Sequence, residues 1–138
     1  MQLLVTGGNG FIGRRVCARG VADGHEVTSV ARSGSPTADC GPWAAEVDWR
    51  RGDVFAPHEW RDALTGVDRV VHSIGTLREA PTDGVTLERV NGDSAIVAAL
   101  EAERAGVDRF VFVSSSTTPP LVRDAYITAR RRAEAAIA

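Results

Sequence analysis

Leu3-Leu4-Val5-Thr6-Gly7-Gly8-Asn9-Gly10-Phe11-Ile12-Gly13 opens with an apolar run that passes straight into glycines and then into a helical pattern. Gly7, Gly10 and Gly13 are spaced three apart, with Gly8 as an extra. The physical reading is a buried strand, a tight turn and a helix start. Gly7 suits the sharp turn, because glycine tolerates backbone angles that other residues avoid. Gly8 and Gly10 carry no side chain, so a diphosphate can approach the backbone. Gly13 lets the helix pack closely on the strand. The helix start then presents free N–H groups and the positive end of its dipole to an anion. Strand, glycines and helix in this order point to nucleotide binding. A glycine-rich turn without a ligand is the alternative.

The rest of the chain extends this unit. Phe11 to Ala22 reads as the first helix, ended by Asp23-Gly24. Glu26–Ala31 reads as a second strand, and Arg32-Ser33-Gly34-Ser35-Pro36 as a loop. Thr37 to Glu46 is irregular, with one helical turn near Trp43. Val47–Arg50 alternates like a third, exposed strand. Pro57 to Leu64 reads as a short helix and Arg69–Ile74 as a buried fourth strand. Val85 to Ala105 is the longest helical pattern, followed by a fifth strand over Arg109–Ser114. Asp124 is placed to cap a last helix, Ala125 to Ile137. Strands alternating with helices predict an α/β fold, a doubly wound parallel sheet of about five strands. Right-handed crossovers give the order 3-2-1-4-5.

Bulk properties limit the partners. The 138 residues, 43% of them hydrophobic, suit one domain with a real core. A net charge of −2, with no basic tract beyond Arg130-Arg131-Arg132, argues against nucleic acid. No apolar run approaches the ~20 residues of a membrane span. Met1 lies directly before the first strand, so no leader peptide is expected. Cys17 and Cys40 lack metal-ligand spacing, so no metal site is expected. Cys17 reads as a small core residue in the first helix, and reduced thiols in a cytoplasmic setting are expected. All 16 basic residues other than histidine are arginine, which removes lysine from any catalytic proposal.

The end of the second strand bears on the choice of cofactor. In a fold of this kind an acid there would hold the ribose hydroxyls of NAD. The position falls near Ala31 and Arg32, where there is no acid. Arg32 offers a planar fork suited to phosphate, and Ser33 adds a hydroxyl. These residues favour NADP, with NAD as the alternative; Arg32 is otherwise a solvated loop residue. Arg14 and Arg15 stand ready as a second cation. Asp53, after the third strand, either accepts from an adenine amino group or caps its turn.

Thr6–Gly13, Arg51-Gly52-Asp53, Val71-His72-Ser73-Ile74-Gly75, Arg89-Val90-Asn91 and Phe110–Ser115 together resemble the extended and atypical short-chain dehydrogenase/reductases. These include the NAD-dependent epimerase/dehydratase group. The ending Tyr126-Ile127, Arg131, Ala133-Glu134 resembles the atypical branch, which holds a complex I accessory subunit and a ubiquinone-biosynthesis protein. The resemblance implies a Rossmann-like NAD(P)-binding domain over residues 1–138. It implies cofactor contacts at Gly7, Gly8, Asn9, Gly10, Phe11, Ile12 and Gly13. Further contacts are implied at Arg32, Ser33, Asp53, Val54, Ser73, Ile74, Gly75 and Asn91, although Asn91 would otherwise serve the helix backbone. His72 is expected beside the cofactor. Ser115 and Tyr126 match the family's substrate-orienting serine and its acid/base tyrosine. Arg130 stands where the family has lysine, four residues after Tyr126 and on the same helix face. The three form either a catalytic set or a structural helix pair.

Extended members continue into a sixth strand and a substrate-binding region, which the resemblance places outside this chain. It also implies pairing of two copies through the fourth and fifth helices. Two roles are therefore expected: an NADP(H)-dependent oxidoreductase or epimerase with an unidentified small-molecule substrate, or a non-catalytic NADP(H)-binding sensor or accessory protein.

Overall fold

The computed structural model describes all 138 residues. Five parallel strands form one sheet: β1 (Gln2–Thr6), β2 (Glu26–Ala31), β3 (Val47–Arg51), β4 (Arg69–His72) and β5 (Arg109–Phe112). Their spatial order is β3-β2-β1-β4-β5, as the alternation of elements predicts. β1 is central, with Leu4 beside Thr28 of β2 on one side and Val70 of β4 on the other. Both of its faces are covered, which is why it reads as an unbroken apolar run. Leu3 and Val5 pack with Cys17, Val27 and Val47 under α1 (Phe11–Ala22). Leu4, Val30 and Val70 pack with Trp60, Leu64, Ala98 and Ala102 on the opposite face. That second layer is built by α2 (Ser94–Arg104), flanked by α3 (Ala125–Ile137).

The bounds of α1, β2 and α3 follow the sequence reading, and each correction elsewhere has a local cause. Residues 57–64 form two separate 3-10 turns, Pro57–Glu59 and Arg61–Leu64. Trp60 separates them: its φ of −138° leaves the helical path while its indole is buried and donates to Val54 O at 3.3 Å. The fourth helix starts later than Val85, because Val85 is bridged to Ala80. Thr86 Oγ1 instead accepts from Arg89 N at 3.1 Å and sets the helix start. Its opening contains a π turn, Arg89–Asp93, which runs directly into α2. Asp124 stands at the N-cap of α3 but makes no side-chain capping bond. No helix is long and apolar enough to cross a membrane.

Candidate nucleotide-binding cleft

The chain leaves β1 for β2 and β3 on one side and returns to β4 and β5 on the other. At the carboxyl ends of the strands this reversal leaves a crevice, the usual place for a ligand in an open α/β sheet. Here the crevice is a cleft of about 760 Å3, within the range of small-molecule sites. Thr6, Gly7, Asn9 and Gly10 line its middle; Ala31, Arg32 and Ser33 line it after β2, and Asp53, Val54 and Phe55 after β3. Ser73, Ile74 and Gly75 close it after β4.

The glycines divide their work differently from the sequence expectation. Gly7 has φ +77° and donates to Val30 O at 2.8 Å, making the turn. A Cβ on Gly10 would meet only Gly7 O, at 3.4 Å, so this glycine leaves open space in the cleft. A Cβ on Gly13 would stand 2.0 Å from Gly7 O, so this glycine brings the helix close to the turn rather than to the strand itself. Gly8 is buried, and a Cβ there would fall 2.2 Å from Ser29 Oγ. Its lack of side chain therefore serves the contact with β2. Among the helix-start residues, the Phe11 ring is 70% exposed and lies 3.9 Å from the Arg15 guanidinium, and the Ile12 side chain is also exposed. Of this stretch Gly7, Asn9 and Gly10 line the cleft, and Gly8, Phe11, Ile12 and Gly13 do not. The N–H groups of Phe11, Ile12 and Gly13 have no acceptor in the protein, while Arg14 N donates to Gly10 O at 3.0 Å.

Asn9 ties the glycine loop to the loop after β2, donating to Ser33 Oγ and to Gly34 O. Arg32 is exposed and forms no ion pair, so its fork is free at the cleft mouth. Arg14 instead reaches the Cys40 sulfur at 3.6 Å, and Arg15 turns back to Phe11 O at 2.7 Å. Asp53 Oδ1 accepts from Phe55 N at 2.9 Å and so caps its own turn. Ser73 Oγ donates to Thr6 O at 2.8 Å, fastening the β4 end to the β1 end. Phe55 and Arg89 also line the cleft, with the Arg89 guanidinium 3.7 Å from the Phe55 ring centroid. Neither has a sequence signal beyond its place next to Asp53 or Asn91.

Three expectations change place. His72 does not itself line the cleft, although Ser73 after it and its partner Thr6 do. It is fully buried, with Nδ1 2.7 Å from Thr6 Oγ1 and Nε2 3.1 Å from Ser94 Oγ. Burial, with the Arg130 charge as a lesser cause, pushes its pKa down to about 3, so the imidazole stays neutral. Asn91 is buried in the π turn and bonds Thr76 and Arg130; it does not itself line the cleft but lies behind Gly75, which does. Ser115, Tyr126 and Arg130 lie beyond the lining as well. Ser115 Oγ donates to Thr117 O at 2.9 Å. The Arg130 guanidinium sits 4.8 Å above the Tyr126 ring, so the spacing does bring these two together.

The residues present fit a dinucleotide: a side-chain-free floor at Gly10, three unpartnered N–H groups and an unpaired cation at one end. A family model described as NAD(P)H-binding matches residues 7–138. An uncharacterized chloroplastic protein of Arabidopsis thaliana is 35% identical over 97% of the chain, and MIOREX complex component 2 of Saccharomyces cerevisiae is 31% identical over 96%. Among solved structures, MoeE5 in complex with UDP-glucose and NAD superposes with a TM-score of 0.76 at 25% identity over 99% of the chain. The chain spans 44% and 65% of the two relatives and 48% of the solved chain.

Proposed function

The chain belongs to the NAD(P)H-binding family, and from that premise we propose that it is a short-chain dehydrogenase/reductase-type domain preferring NADP(H) over NAD(H). One observation carries the preference: Arg32, at the cleft mouth after β2, is an exposed guanidinium with no carboxylate partner, where an NAD site would place an acid. A 2′-phosphate on Arg32 would gain a charge-assisted, two-pronged contact. The diphosphate would lie over Gly7 and Gly10 against the start of α1. The other half of the dinucleotide would then reach Ser73, Ile74 and Gly75. Titration with NADPH and NADH, followed by the fluorescence of Trp43, Trp49 and Trp60, tests the preference. Arg32→Ala is expected to weaken NADPH about tenfold and NADH little. Equal loss for both removes the 2′-phosphate assignment.

The reading best supported for the whole domain is a binding role, sensor or accessory. The Arg130 guanidinium, at the place of the family lysine, is occupied by Val113 O and Asn91 Oδ1, both at 2.9 Å. The yeast relative, named as a complex component, is in keeping with an accessory role. The second reading is an oxidoreductase or epimerase, favoured by Ser115 and Tyr126 at the family's positions. In that reading Tyr126 would pass a proton at the substrate oxygen, Ser115 would orient that oxygen and Arg130 would supply the fixed positive charge, while a bound nicotinamide would supply the hydride chemistry. A panel of quinones, aldehydes and ketones decides between them. NADPH binding without oxidation, unchanged in Tyr126→Phe, supports the binding role, whereas turnover abolished by Tyr126→Phe supports the enzyme. The same proposal includes a reducing, cytoplasm-like setting for the two free thiols and a homodimer through α2 and α3, read by light scattering.

A further inference from the structure

Arg130 is a buried cation that makes no direct ion pair. The residue is 6% exposed and forms no ion pair, although its charge is felt by Glu134 one turn on, which is paired with Arg131. A charge withdrawn from water in this way normally needs a partner. Its contacts are neutral: Nη1 donates to Val113 O just past β5, Nη2 to Asn91 Oδ1, and the guanidinium lies over the rings of Tyr126 and Phe112. Nε is buried and bonds nothing. A planar fork spans two acceptors on different elements, which a single ammonium does less well.

Asn91 carries the connection onward. Its Oδ1 accepts from Thr76 N at 3.1 Å as well as from Arg130, and its Nδ2 donates to Thr76 O at 2.9 Å. One side chain thus holds both backbone groups of Thr76. Gly75 lies directly against the pair: a Cβ there would be 2.3 Å from Arg130 Nη2 and 3.0 Å from Asn91 Oδ1. Gly75 is also the last cleft-lining residue of the segment after β4, across β1 from Arg32.

We propose that Arg130 is a positioning residue for the nicotinamide half of the dinucleotide, bracing the cleft wall at Gly75–Thr76 through Asn91 without touching the ligand. The inference rests on the dinucleotide reading above. Two probes separate the halves of the site by calorimetry on the full chain: NADPH, and adenosine 2′,5′-bisphosphate, which lacks the nicotinamide half. Arg130→Lys is expected to weaken NADPH about tenfold and to leave the bisphosphate within twofold. Asn91→Asp keeps an acceptor for Arg130, now as a charged partner, and replaces the donor to Thr76 O with an oxygen that repels it. It is expected to give the same selective loss, and it serves where Arg130→Lys fails to fold. Equal loss of both probes means a merely structural role and overturns the inference, as does no change in either. Failure of the unaltered protein to bind either probe overturns the dinucleotide reading itself, and the inference with it.

Discussion

Gly13→Ala tests the packing on which the cleft depends. The added Cβ would stand 2.0 Å from Gly7 O and 2.8 Å from Gly8 Cα, both backbone atoms that no rotamer change can move. Restoring an ordinary 3.4 Å contact from 2.0 Å requires α1 to retreat by about 1.4 Å. Overpacking of this kind costs about 1–3 kcal/mol, and the upper end applies because backbone is struck. Alanine returns about 1 kcal/mol of helix propensity, leaving a net loss of about 2 kcal/mol. For a chain of 138 residues that is a fall of about 7 °C in Tm. The same retreat carries the N–H groups of Phe11, Ile12 and Gly13 away from the glycine floor, and NADPH affinity should drop at least about tenfold. Thermal melts by circular dichroism and calorimetric titration read the two effects. Gly10→Ala is the control, because its Cβ has room in the protein but stands in the cleft. It should keep the Tm within about 2 °C and still lose NADPH. A Gly13→Ala protein with unchanged Tm and unchanged affinity would refute the reasoning.

Three further outcomes are expected. His72 has a folded pKa of about 3 against an ordinary 6.5, so its contribution is complete above pH 6.5 and is lost as pH falls from there toward 3. The unfolding free energy from urea melts should decline by up to about 1.4 kcal/mol per pH unit over that window, and His72→Asn should flatten the slope. Glu101 is buried between Arg61 and Arg104, whose hydrogen bond and charges hold its carboxyl below the usual range. Its contribution is present above the ordinary carboxylate pKa and is lost as pH falls through the lowered one. Both arginines are largely exposed, so Glu101→Gln should cost no more than about 1 kcal/mol at pH 7 and nothing well below pH 4. Burial pushes the Cys17 thiol up to about 12, while Cys40 is half-buried. A disulfide reagent at pH 8 should label one thiol per native chain, Cys40, and two in denaturant; two labels in the native protein contradict the packing.

The elements legible in the sequence are those whose signals are local. α1 and α3 match their expected bounds because the glycine loop, Asp23-Gly24 and the alanine-rich 125–137 stretch each speak for themselves. Strand order follows from chirality and alternation, neither of which needs side-chain detail. What the sequence does not show comes from partners distant in sequence. Gly8 reads as open to a diphosphate, and the packing adds a constraint the sequence does not show, Ser29 on another strand. His72 alternates in step with Val70, and that period places it on the α2 face rather than in the cleft. Asn91 is held by Thr76 and Arg130, 15 and 39 residues away. The motif that contains it is visible, but its contacts exist only once β4, α2 and α3 are packed. Phe55 and Arg89 meet across the cleft for the same reason.

The π turn at Arg89–Asp93 gives the fourth helix a phase offset. One extra residue in a helical path advances the backbone by about 100°, so Leu87 and Val90 lie on a different azimuth from an uninterrupted continuation of α2. Gly92 allows this at the crossing with α3, where a Cβ would come 2.6 Å from Arg132 Nη2 and 3.0 Å from Ala129 O. Deleting one residue between Arg89 and Asp93 would restore a regular helix and rotate Arg89 and Leu87 out of register with the body of α2. For this segment, chain length is as much a determinant of recognition as side-chain identity. A single-codon deletion there should act on ligand binding more severely than most substitutions at the same positions.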